Sequence, residues 1–96
     1  MTRSANGFFD GLPGSEIVAR GTVDLQQGRE TVESLLVSIG APRLARLGVS
    51  VESHFPAAER RLYELLAAED GDSAHSRYNA LVRRLVSFER AAECAG

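Results

Sequence analysis

Apolar residues recur along this chain at helical intervals, in blocks separated by glycine, proline or acidic turns. Ile17, Val18, Gly21 and Leu25 mark the inner stripe of a first helix, with Ser15 as its N-cap and Gly28 as its stop beyond Gln27. Glu16 and Arg20 stand four apart on its outer side, a favourable pairing distance. Gly21 weakens that helix unless another backbone packs closely against it. Val32, Leu35, Leu36 and Ile39 then fall at i, i+3, i+4 and i+7, the mark of one buried helical face.

Gly40 reads as the left-handed cap of this second helix, and Ala41-Pro42 restarts the chain as a short third one with Leu44 and Leu47 inward. Gly48 ends it. Val49, Ser50 and Val51 alternate like a strand, but no partner run exists, so they read as an extended connector. Pro56 opens the next helix, with Ala58, Leu62, Leu65 and Leu66 as its stripe, and the acidic turn from Glu69 to Asp72 breaks it. Asp72 or Ser73 caps a last helix reaching about Cys94. There Ala74, Tyr78, Leu81, Leu85, Phe88 and Ala92 step by fours and threes, a seam flanked by Val82 and Val86.

The pattern predicts an all-α fold, a small four- to five-helix bundle with a long C-terminal helix. Residues 1–14 read as a flexible N-terminal arm and turn, and 15–96 as a single helical domain. Phe8 and Phe9 on the arm read as aromatic cover for one end of the bundle.

Composition narrows the function classes. A chain of 96 residues forms one modest core. A net charge of −2 gives no basic excess for gripping a nucleic-acid backbone. All 11 basic residues are arginine. With abundant alanine, that reads as a GC-rich coding sequence before it reads as selection for bidentate contacts. One cysteine, Cys94, excludes an intramolecular disulfide, and neither a signal peptide nor a membrane-length apolar run is visible. A cytoplasmic setting is expected.

Candidate chemistry is sparse. Gly28 to Ser53 has a helix-turn-helix outline, with Arg43 and Arg46 on the second helix. Against it, Arg46 falls where a buried residue is needed, Leu36 where a small one is, and Ala41 to Leu47 is short. Arg77 and Arg84 share one face of the last helix, as do Arg83 and Arg90. Together with Arg60 and Arg61 they would build a surface for an anion or acidic partner. The competing reading is a solvated face neutralised by Glu59, Glu64 and Glu69.

The stretch from Asp70 to Asn79 starts like a calcium loop but has His75 where glycine is required and Leu81 where the closing glutamate belongs. Asp72 and His75 lack a second carboxylate–histidine pair for a metal. Asp72, Ser73, His75 and Ser76 crowd into one turn, whereas a catalytic triad converges from separate segments. Cys94, beside Glu93, is not favoured as a thiolate. No cofactor or metal is expected.

These features lead to a non-enzymatic, accessory or regulatory interaction module of a bacterial cytosol. The expected partner-binding residues are Arg77, Tyr78, Arg84, His75, Arg60 and Arg61. The partner is another protein or a second copy through the heptad seam. The alternatives are a nucleic-acid or anionic-ligand binder using the arginines, and a small ligand-binding or enzymatic domain around Asp72, His75 and Tyr78.

Overall fold

The computed structural model describes residues 11–49, 51 and 54–95. Among them the chain forms four helices and no strand: α1 (Ser15–Gln26), α2 (Val32–Arg46), α3 (Ala58–Glu69) and α4 (Ala74–Ala95). The all-α bundle is therefore the observed architecture, and α4, with 22 residues, is its longest member. Most of the N-terminal arm, including Phe8 and Phe9, lies outside the described residues.

The stripe of α1 is buried as its spacing requires, with Ile17, Val18, Gly21 and Leu25 all inward. Its start differs from expectation. Ser15 is the first helical residue, and Gly14, at φ 78°, is the N-cap without any side-chain hydrogen bond. A Cβ at Gly14 would lie 2.9 Å from the carbonyl oxygen of Arg84, so α4 passes too close for a capping side chain. The Glu16–Arg20 pair does not form either, because Arg84 of α4 takes Glu16 at 2.9 Å.

The turn into α2 is fixed by polar groups that hydrophobic spacing does not reveal. Thr31 caps α2 by accepting from the Ser34 amide at 3.1 Å, and the Ser34 hydroxyl accepts from the Thr31 amide at 2.7 Å. This reciprocal box satisfies orphan donors at the helix start. The Thr31 hydroxyl also donates to Asp24 Oδ2 at 2.7 Å. Asp24 is only 3% exposed and has the Arg29 guanidinium at 3.5 Å from its other oxygen. A buried carboxylate is thus hydrogen-bonded and charge-compensated at the hairpin that joins α1 to α2.

The largest departure from the sequence pattern is the continuity of α2. It runs through Gly40, Ala41 and Pro42 without a break, so the expected second and third helices are one. Pro42 lacks the N–H that would bond the Ser38 carbonyl, which ordinarily costs a helix interior about 3 kcal/mol. Burial on several sides outweighs that local penalty. Leu35, Leu36, Val37 and Leu44 are fully buried, and α2 packs against each of the other three helices. Gly40 is no cap. It is the place where Leu85 and Glu89 of α4 press on α2, at 3.0 and 2.8 Å from where a Cβ would stand. The helix-turn-helix outline disappears with the break it required.

After α2 the chain turns at Gly48, at φ +99°. Val49 and Val51 lie half-buried outside any regular element, and Ser50 is outside the described residues. The Phe55 amide donates to the buried Ser38 hydroxyl at 3.1 Å, which ties this connector to α2. Pro56 sits in the turn before α3, whose N-cap is Ala57 at φ 53°, the one positive-φ residue other than glycine among those described. Ala58, Leu62 and Leu66 of α3 are buried and Leu65 partly so. Along α4, Ala74, Leu85, Phe88 and Ala92 are buried, with Tyr78 and Leu81 packed at the edge of the core. Four of the six seam residues are thus buried within the chain, and the other two are partly covered. No helix among the described residues is long and apolar enough to cross a membrane.

Two substitutions test this frame. A Cβ at Gly21 would collide with the backbone carbonyl of Glu33 in α2, which cannot swing aside. Overpacking of that kind costs about 1–3 kcal/mol, more than the roughly 1 kcal/mol that alanine gains over glycine in a helix. Gly21→Ala should lower stability by up to about 2 kcal/mol in urea unfolding, while Gly71→Ala, with only an ordinary 3.6 Å contact nearby, should be nearly neutral. Thr31→Ala removes both the cap and the Asp24 bond, and a loss of about 1–2 kcal/mol is expected in the same measurement.

Candidate interaction site

The expected site residues scatter over three unlike surroundings. Arg61 is half-buried and held by two hydrogen bonds to Glu30, at 2.9 and 2.7 Å, with its guanidinium 5.4 Å from the centre of the Phe55 ring. Arg77 binds Glu69 at 3.0 Å across the α3–α4 turn, and Arg84 binds Glu16 of α1. Arg60 is exposed and makes no ion pair among the described residues. Arg77 and Arg84 lie on one side of α4 yet serve different neighbours, one joining α4 to α3 and the other to α1. As a set these arginines clamp helices together and do not converge on a common point.

Three aromatic rings do converge. Tyr63 of α3, absent from the sequence-based candidates, lies 5.8 Å from Tyr78 of α4 and 6.5 Å from His75, with ring planes inclined at 54° and 60°. Tyr63 is 40% exposed, one of two large hydrophobic side chains so placed among the described residues. His75 is exposed and its Nε2 lies 3.2 Å from Asn79 Nδ2, one turn further along α4. Tyr78 is half-buried. Burial first, and the neighbouring Glu59 carboxylate second, raise its phenol above the ordinary value, so it stays neutral and can donate its O–H. The packing of α3 on α4 assembles this patch, and periodicity missed Tyr63 because it stands off the leucine stripe of its helix.

Glu89 of α4, a charged residue that hydrophobic spacing does not mark, is buried. It is 4% exposed, pressed under Gly40 of α2. The Arg43 guanidinium is 3.8 Å away, too long for a hydrogen bond, and donates at 3.0 Å to Glu93. Burial therefore dominates and raises the Glu89 carboxyl above its usual range, while Arg43 pulls it back down. The sequence signal was present in retrospect: Glu89 follows Phe88 and lies four beyond Leu85, so it flanks the seam.

No group of His, Cys, Asp or Glu capable of holding a metal ion occurs among the described residues. Asp72 is exposed on the turn before α4, and Cys94 is exposed near its end. Comparison of the chain with protein-family models, with curated proteins and with solved structures gives no match.

The Glu89 environment predicts a pH dependence with a definite sign. A carboxyl whose folded pKa is raised binds its proton more tightly in the folded state. Its stabilising contribution is complete below the unfolded pKa and is lost as pH rises through the folded one. The stability of the natural chain minus that of Glu89→Gln should therefore fall from about pH 4 upward, with a slope of at most about 1.4 kcal/mol per pH unit for one proton. Urea unfolding of both proteins across pH 4–8 measures it. A difference that is flat or rises with pH contradicts this environment.

Proposed function

We propose that this chain is a non-enzymatic helical interaction module of a bacterial cytosol, whose contact face is centred on Tyr63, His75 and Tyr78. One observation carries the reading: an exposed tyrosine is held in a three-ring cluster on two packed helices. Aromatic side chains on a rigid element supply large contact area at little entropic cost, which makes them common anchors of protein interfaces. The engagement of Arg61, Arg77 and Arg84 in ion pairs supports moving the centre of the face from the arginines to the rings. Those arginines can still border it. The lone exposed cysteine, free of any disulfide, fits the cytosol.

A second reading, an anionic ligand or nucleic acid on the arginines, draws on Arg83 and Arg90, which are exposed, seven apart on α4 and free of ion pairs among the described residues. It predicts retention of single- or double-stranded nucleic acid that weakens steeply with added salt and falls when both arginines become alanine.

A photo-crosslinking amino acid in place of Tyr63 tests the preferred reading in the native cell. Val23 on α1, 42% exposed, provides the control position. A discrete adduct from position 63 and none from position 23 is the expected result. An adduct of twice the chain's mass would identify the partner as a second copy. The reading fails if position 63 yields no adduct, or only the diffuse products that position 23 yields.

A further inference from the structure

Resting on the interaction reading above, we infer that the Tyr63–Tyr78–His75 face takes a cationic segment of its partner, an arginine- or lysine-bearing stretch. The rings and the charge distribution lead there independently. Tyr63 and Tyr78 lie 5.8 Å apart and tilted by 54°, so a point outside them lies within reach of both rings. A guanidinium or ammonium within about 6 Å of a ring centroid is attracted by the ring's negative face.

The charges are segregated. Among the described residues, the acidic side chains without an ion pair are Glu33, Glu59, Glu64, Asp70 and Asp72. All but Glu33 belong to α3 and the turn that follows it. Among the described residues the arginines without an ion pair are Arg20, Arg46, Arg60, Arg83 and Arg90, and of these only Arg60 is on α3. Glu59 stands one helical turn before Tyr63 on the same side of α3, and Arg77, beside Tyr78, is neutralised by Glu69. Arg60 stands three before Tyr63 on that side as well. The four unpaired carboxylates of α3 and its turn outnumber this one arginine, so the balance of unpaired charge on this element is negative and suits a cation.

The chain already binds a guanidinium in this way once. Arg61 lies over Phe55 while Glu30 grips its nitrogens. The open face offers the same pair of elements, ring and carboxylate, with two rings in place of one and no internal arginine occupying it.

The chain has two tyrosines, Tyr63 and Tyr78, and no tryptophan, so tyrosine ring signals report on this face alone. The test titrates the intact protein, at low salt, with a flexible pentapeptide carrying two arginines. Peptides with two lysines, two citrullines and two glutamates run alongside, and ring proton shifts of Tyr78 are the readout. Saturable shifts are expected with the arginine peptide, binding at least about fivefold tighter than its neutral citrulline counterpart, and weaker shifts with lysine. Tyr63→Leu should weaken arginine-peptide binding about two- to fivefold and Tyr63→Phe should not, since phenylalanine keeps the ring face. Glu59→Gln should weaken it by a similar factor. Both positions are exposed, and an unchanged helical circular-dichroism spectrum checks each variant.

Equal binding of the arginine and citrulline peptides, tighter binding of the glutamate peptide, or an unaffected Tyr63→Leu variant overturns the inference. Competition separates it from the broader reading. If position 63 crosslinks to a partner and excess arginine peptide leaves that adduct undiminished, the face binds a protein but not through cationic chemistry. If no adduct forms at all, the interaction reading itself fails, while the titration still decides whether the rings hold a cation.

Discussion

The fold depends on one helix being buried nearly all round. Three other helices pack on α2, and from Ser34 to Ser38 every residue is buried, followed by Gly40, Ala41 and Leu44. A helix in that position needs a small residue wherever a neighbour approaches closely, and the chain supplies a glycine on one side of each such contact. Gly21 of α1 meets the backbone of α2 near Glu33, and Gly40 of α2 meets Leu85 and Glu89 of α4. The same burial explains why Pro42 does not end the helix, since lost contacts of Leu44 and its neighbours would cost more than a missing hydrogen bond.

Polar groups finish what apolar packing begins. Asp24, Thr31 and Ser34 lock the α1–α2 turn, while Ser38 holds the connector before α3. Arginine–carboxylate pairs then link segments at the surface: Arg84 to Glu16, Arg61 to Glu30 and Arg77 to Glu69. Each exposed pair is worth little alone, in the range of a few tenths to about 1 kcal/mol. Their consequence is larger for function than for stability, because pairing withdraws these arginines from any free anion-binding surface. What is left open on α3 and the following turn is mostly acidic, next to a tyrosine cluster.

The interaction reading and the cationic-partner inference therefore share a structural origin. Helices α3 and α4 pack together, with Leu62, Leu66 and Ala74 buried in the shared core, and this packing brings Tyr63 beside Tyr78 and His75. Tyr78 is packed against the core and Tyr63 faces water, so the cluster is anchored on one side and available on the other.

Sequence alone determined the helical class, the stripes of α1, α3 and α4, and the stops at Gly28, Gly48 and the acidic turn before α4, because these depend on local periodicity and backbone freedom. It pointed to close packing at Gly21 for the same reason. It misplaced Gly40 and Pro42, and it overlooked Val37, Asp24, Tyr63 and Glu89. Most of these take their role from a neighbour distant along the chain: Val37 from Gly21 of α1, Glu89 from Gly40 and Tyr63 from α4. Asp24 takes its role from polar partners in the turn, Arg29 and Thr31, which apolar spacing does not register. Local pattern records the faces a helix can bury, but only tertiary packing decides how many it does bury and which side chains on the remaining faces come together.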